Sequence, residues 1–298
     1  MDAATGRPRV RRTTTLVAVL VAVVLALAAC ATGGSHSTTV GSSAPSSSAS
    51  PSSSSPTTVS PSSTTGADRG VSRASARPLV VTGLGDSVMS GTACNCEPFI
   101  STYATALGAH QHVPAKVTNL GKPGLTVSGL AKQLDTESTL QALASASVVV
   151  VTIGANDLGP LVDRWRNGDC SDQCVSDATT GLSAPLDAVL TRIKAAAPDS
   201  AQILVTTYWN VFEDGAVADA DYGPGFASWS DAVTLAANAQ ICRAADLIGA
   251  PCVDLYVPFN GSGSKDPTPL LAEDGDHPNA AGHDAIAKAL LAATAPTP

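Results

Sequence analysis

Ser87 stands in Gly85-Asp86-Ser87, directly after the apolar run 79–84, where a small, tight turn would lift its hydroxyl clear of a strand. Serine is unreactive at neutral pH. As a nucleophile it needs a general base, a group that orients the base, and donors for the oxyanion that forms. The chain offers five histidines. His36 lies in a Ser/Thr-rich stretch, His110 and His112 precede a strand at its wrong end, and His283 falls inside a helix. His277 remains, in Glu273-Asp274-Gly275-Asp276-His277-Pro278, a loop just before that helix. Asp274, three residues upstream, can be turned onto the same side as the imidazole, whereas the adjacent Asp276 would point away. The expected triad is therefore Ser87, His277 and Asp274.

Strands and helices must carry these residues. The run 79–84 reads as a strand buried on both faces, and 115–120, 148–153, 202–207 and 252–256 as four more. Helices are expected over 99–109 and 127–144. Another holds Leu182, Leu186, Val189, Leu190 and Ile193 on one face, with Ser183 as cap and Pro185 in the first turn. Two more cover 231–248, stopped by Gly249, and about 279–293. The stretch with Trp165, Cys170 and Cys174 and the segment from 208 to about 229 read as irregular. Such alternation implies right-handed crossovers and an α/β fold, a three-layer α/β/α sandwich around a five-stranded parallel sheet. Ligands of such sheets bind at the carboxyl ends of the strands. The loops carrying Ser87, Gly124, Asn156 and Trp209 should meet there.

In this order the residues resemble the SGNH hydrolases, the GDSL lipase and esterase family. The blocks are Gly85-Asp86-Ser87, then Gly124 after Asn119-Leu120, then Gly154-Ala155-Asn156-Asp157, then Asp274-Gly275-Asp276-His277-Pro278, across nearly all of 79–298. A lone Gly-Asp-Ser is a weak signal, but four blocks in order are specific. The resemblance implies a flavodoxin-like fold and an oxyanion hole made by the Ser87 amide, the Gly124 amide and the Asn156 side chain. It also implies hydrolysis of carboxylic esters through an acyl-enzyme, with no metal or cofactor. The substrate would be an ester-containing small molecule, a lipid or an acylated carbohydrate. Acyl transfer to a cell-envelope sugar or lipid hydroxyl would use the same groups. An inactive cell-wall binding protein is the alternative from another class, and none of the triad or oxyanion residues is missing. Asp86 and Asp157 read as hydrogen-bonding residues of their turns. Tyr208, Trp209, Phe212, Trp229 and Trp165 gather in loops at the active end, for packing or for substrate contact.

The N-terminus carries an address. Arg7, Arg9, Arg11 and Arg12 precede an uninterrupted apolar run, 16–29, and then Cys30. The run is shorter than the roughly 20 residues of a membrane-spanning helix. Leu27-Ala28-Ala29-Cys30 is similar to a bacterial lipobox, which makes 1–29 a lipoprotein signal peptide and Cys30 the lipidated mature N-terminus. An ordinary secretory signal is the alternative. Two acyl chains hold a protein on a membrane. Residues 30–77, dominated by Ser, Thr, Pro and Gly, read as a disordered tether whose root-mean-square span is on the order of 35 to 40 Å. The hydrolase domain, 78–298, would then stand on the extracellular face of the cell membrane, as a monomer.

The whole chain carries a formal charge of −8, and the arginine-rich leader and tether leave the hydrolase domain at −13. An acidic surface of this kind argues against nucleic acid as a partner. Besides Cys30 there are Cys94, Cys96, Cys170, Cys174, Cys242 and Cys252, an even number that suggests disulfides. Cys242 with Cys252 would join a helix to the following strand. For the other four, pairing within each loop or between loops is open, and a tetrathiolate zinc site does not match the usual spacings.

Overall fold

The computed structural model describes residues 77–294. The signal peptide expected over 1–29, the lipidation site expected at Cys30 and the tether expected up to residue 76 lie outside the described residues. The elements run β1 (Leu79–Gly85), α1 (Ser87–Ser90), α2 (Phe99–Gln111), β2 (Ala115–Asn119), α3 (Val127–Gln133), α4 (Glu137–Ala144), β3 (Val148–Thr152) and α5 (Ala155–Leu158). There follow α6 (Pro160–Arg166), α7 (Asp172–Gly181), α8 (Ser183–Ala196), β4 (Gln202–Thr206), α9 (Gly215–Tyr222) and α10 (Phe226–Leu247). The chain then gives β5 (Cys252–Val253), α11 (Tyr256–Asn260) and α12 (Ala280–Ala293).

The five strands form one parallel sheet in the order β2-β1-β3-β4-β5. All five residues of β3, Val148–Thr152, are buried, which is why this run shows no polar alternation. Each buried valine there contributes about 1.5–3 kcal/mol of transfer free energy. Helices α2 and α12 pack on each other, α2 also against β1 and β2, while α8 packs against α3, α4, α7 and α10. The result is the expected α/β/α sandwich. The chain leaves β1 toward β2 on one side and returns past it to β3, so the reversal of strand order falls between β1 and β3. That is the crevice where ligands bind in such sheets.

Local chemistry reshaped several expected elements. The helix expected over 127–144 is two, because Thr136 caps a new start: its Oγ1 accepts from the Thr139 amide. Ser183 is no cap; it is the first residue of α8 and its hydroxyl donates to Gln240 Oε1 at 2.6 Å. The stretch around Trp165 and Cys174 is helical, opened by Pro160 at the first position of α6. Asp214 starts α9 by accepting from the Gly215 amide, and Phe226, fully buried, begins α10 five residues earlier than the apolar periodicity suggested. Strand β5 has only two residues, since Asp254 Oδ1 accepts from the Tyr256 amide and turns the chain into α11. Among the described residues, no helix is long and apolar enough to cross a membrane.

The cysteines pair within their own segments: Cys94 with Cys96, Cys170 with Cys174, and Cys242 with Cys252. This settles the open choice against bridges between the loops and against a four-sulfur metal site. Cys94, Cys96 and His283 do approach one another within 4.8 Å, but the sulfurs are joined and His283 Nδ1 accepts from the Phe99 amide at 3.1 Å.

His283 is 1% exposed and stacks on Phe99. Burial, followed by the charge of His277, pulls its pKa from the ordinary 6.5 to about 4, against the opposing pull of Asp284. The unfolded chain therefore takes up this proton first, and the stability present above pH 6.5 is lost as pH falls toward 4. In urea titrations, the native protein should lose on the order of 3 kcal/mol over that window relative to His283→Gln, whose amide can still accept from Phe99. Equal losses in both proteins would refute this assignment.

Candidate active site

Ser87 is the first residue of α1, at the end of β1. The register of β1 with β3 runs to the pair Gly85 and Thr152, and a Cβ on Gly85 would lie 2.0 Å from Thr152 O. Only glycine allows the two strands to stay this close as the chain turns. Asp86 then caps α1: its Oδ1 accepts from the Val88 amide at 3.0 Å, while its own amide donates to Thr152 O at 3.1 Å. As the first helical residue, Ser87 has no intrahelical acceptor for its amide, which makes no other hydrogen bond.

The loop after β2 is stitched to this turn. Asn119 Nδ2 donates to Met89 O at 2.8 Å, and the Lys122 amide donates to Gly85 O at 2.9 Å. Gly124 follows with φ +72° and nothing within 4 Å of where a Cβ would stand, and its amide donates to no group among the described residues. The loop is tied in turn to α5. Asn156 Nδ2 donates to Leu125 O at 3.1 Å, and Asp157 Oδ2 accepts from the Val127 amide at 2.9 Å. One amide proton of Asn156 is thus committed to holding the Gly124 loop, and the other is available to a ligand. Asp86 and Asp157 both serve as hydrogen-bonding residues of their turns, as the sequence suggested.

His277 sits on the loop before α12, held by Asp274. Asp274 Oδ1 accepts from the His277 and Asp276 amides at 3.0 and 3.1 Å, and Oδ2 lies 2.7 Å from His277 Nδ1. Asp276 Oδ2 is 3.8 Å from the same nitrogen. Asp274 is therefore the imidazole's partner. Burial works to raise the Asp274 pKa, but the hydrogen bonds from the His277 amide and ring and the Asp276 amide outweigh it and hold the carboxyl below its usual value. An ionised Asp274 takes the Nδ1 proton as its hydrogen bond and leaves Nε2 as the basic nitrogen.

Ser87, Asn156 and Asp276 line one cavity of about 200 Å³, together with Tyr208, Phe212 and Glu213. The sequence-predicted residues of the loops after β1, β3 and β4 thus converge, with Gly124 on the adjoining loop and His277 next to Asp276. The Ser87 hydroxyl makes no hydrogen bond to His277 in this arrangement. The aromatic residues divide into two groups. Tyr208 and Trp209 are buried in the site wall, Trp209 stacked on Phe259, whereas Trp165, Tyr222, Phe226 and Trp229 pack on one another and on Phe212. Sequence reasoning missed Glu213 as a site residue, and it expected Tyr208 at the active end for packing or substrate contact without foreseeing its partner. Glu213 enters the cavity from the segment after β4, and the Tyr208 hydroxyl donates to Asp86 Oδ2. The one available signal was the position of Tyr208 just past a strand's carboxyl end.

The fold recurs among known proteins. By structure the chain is similar to a lipase from a goat rumen metagenome, with 19% identity, TM-score 0.61, and coverage of 72% of this chain and 97% of that one. It is also similar to phospholipase A1 from Streptomyces albidoflavus NA297, with 21% identity, TM-score 0.52, and coverage of 73% and 100%. A third similar structure is a catalytic mutant of an acetylxylan esterase from Geobacillus stearothermophilus, with 19% identity, TM-score 0.51, and coverage of 72% and 93%. No curated protein matches by sequence. These low identities carry the fold alone, but residues 84–285, from the last turn of β1 to the middle of α12, match a family model as one continuous span. The chain is a carboxylic ester hydrolase of the GDSL-like lipase/acylhydrolase family.

Proposed function

We propose that the chain is a serine esterase whose nucleophile is Ser87, with His277 as general base and Asp274 as its orienting partner. The carrying observation is the His277 ring, whose Nδ1 is held 2.7 Å from Asp274, on the loop whose Asp276 lines one cavity with Ser87 at the head of α1. Substrate binding closes the Ser87 to His277 hydrogen bond, which is often long in an empty site. Nε2 then takes the hydroxyl proton as Oγ attacks the ester carbonyl. The oxyanion is received by the Ser87 and Gly124 amides and the free Asn156 proton. Collapse expels the alcohol, protonated by His277, and a water activated by the same nitrogen releases the acid.

The cavity also bears on substrate. At about 200 Å³ it is below the roughly 300–1,000 Å³ of sites that engulf drug-sized ligands, which suits a short acyl group. Asp86, Glu213 and Asp276 line it and no Lys or Arg does, so a neutral or cationic ester is favoured over an anionic one. We also place the enzyme outside the cell, held by acylated Cys30 and the tether 30–77.

Purified protein should hydrolyse p-nitrophenyl acetate and butyrate faster than the palmitate, with Ser87→Ala abolishing turnover. Activity no different from that variant at every chain length would sink the esterase reading. Asp274→Asn should lower kcat by about 10³- to 10⁴-fold, since the amide no longer selects the Nδ1–H tautomer. Asp276→Asn should retain most of the activity, and reversal of that ranking would move the role to Asp276. Cys30→Ala should shift the protein from the membrane to the soluble fraction of its bacterial host; unchanged fractionation would count against the lipid anchor.

A further inference from the structure

Asp86 has more hydrogen-bonding capacity than a helix cap needs. Serine or asparagine would satisfy the Val88 amide with one oxygen, yet Asp86 presents a second, Oδ2, inside the protein, where the residue is 1% exposed. That oxygen accepts from the Tyr208 hydroxyl, reached from the other side of β3. Tyr208 is itself fixed. Its amide donates to Asn238 Oδ1 at 3.0 Å and its carbonyl accepts from Asn238 Nδ2 at 2.8 Å, both bonds coming from one buried side chain on α10. A continuous chain of buried hydrogen bonds therefore runs from α10 through Tyr208 and Asp86 to the turn that carries Ser87.

We propose that Tyr208 and Asp86 are a positioning pair, in which the Tyr208 hydroxyl locks the Asp86 carboxylate so that the single turn of α1 presents Ser87 in one orientation. The proposal rests on Ser87 being the nucleophile. Helix α1 has only four residues, too few to hold its own direction. Its geometry is set at its two ends, by the Asp86 cap and the turn at Gly91. Removing the Tyr208 hydroxyl leaves a buried acceptor without a partner. The carboxyl then rotates or takes a proton, and Oγ moves with the cap. A displacement of about 1 Å costs a reaction of this kind roughly a hundredfold in rate.

The pair also has an electrostatic consequence that a purely structural contact lacks. Burial pushes the Asp86 carboxyl up to about 7, against the opposing hydrogen bonds from Tyr208 and the Val88 amide. Facing it are Asp276 and His277 from the loop before α12, while Asp157 on α5 faces Tyr208. Losing the Tyr208 bond keeps Asp86 neutral to higher pH. Hence the step that ionisation of Asp86 adds to the pH profile of kcat should move to higher pH in Tyr208→Phe and vanish in Asp86→Asn, which keeps the cap acceptor but not the charge.

The test is steady-state kinetics from pH 5 to 9 on p-nitrophenyl butyrate, with a fluorophosphonate probe to report Ser87 reactivity and thermal melting to report folding. In Tyr208→Phe, kcat should fall by about ten- to a hundredfold with KM within about twofold. The double variant should be no worse than the more impaired single one. Phosphonylation of Ser87 should slow in parallel. If wild-type Ser87 is not labelled, the nucleophile assignment itself fails. If it is labelled, and both folded variants show wild-type labelling rates, kcat and pH profile, the positioning pair is overturned while the esterase reading stands.

Discussion

The site depends on how closely β1 and β3 run together at their last shared residue pair. Because Gly85 has no side chain, Thr152 O can sit where a Cβ would be, and the same carbonyl accepts the Asp86 amide. The turn bearing Ser87 therefore departs from the sheet against the end of β3, within reach of Asn156 on the next helix. A larger residue at 85 would force the strands apart by the width of a methyl group at the point where the sheet reverses its strand order. The hydroxyl, the amide of Ser87 and the Asn156 donor would separate together.

Around that contact the remaining loops are fastened by side-chain to backbone bonds rather than by apolar packing. Asn119 reaches the carbonyl of Met89, Asp157 the amide of Val127, and Asp274 two successive amides. Each such bond fixes one backbone group of a segment beside the site. Polar residues beside a nucleophile thus do two kinds of work. Some face the cavity, and others hold in place the backbone groups that do.

Much of this was legible in the sequence. The largely apolar runs at 79–84 and 148–153 read as strands covered on both faces, and their order with helices gave the layers. His277 emerged because the other histidines were in a Ser/Thr-rich stretch, at the wrong sheet end or inside a helix, and Asp274 because a three-residue separation lets a turn fold back. What escaped notice was local or long-range polar chemistry. Asp254 ends β5 after two residues through a bond to its own following amide, invisible in an apolar pattern. Tyr208 and Asp86 are 122 residues apart. Nothing in either neighbourhood announces the other, and only the parallel order of β1, β3 and β4 brings them to one side of the crevice.

The disulfides have a bearing on how the protein is made. Six cysteines admit many pairings, yet each one here meets its nearest neighbour along the chain, separated by 2, 4 or 10 residues. A chain emerging unfolded into an oxidising compartment could close every bridge within a single short segment, before strands distant in sequence have met. Correct oxidation then requires no finished fold as its template, and the folded sheet has no covalent link between its early and late halves to be mismade.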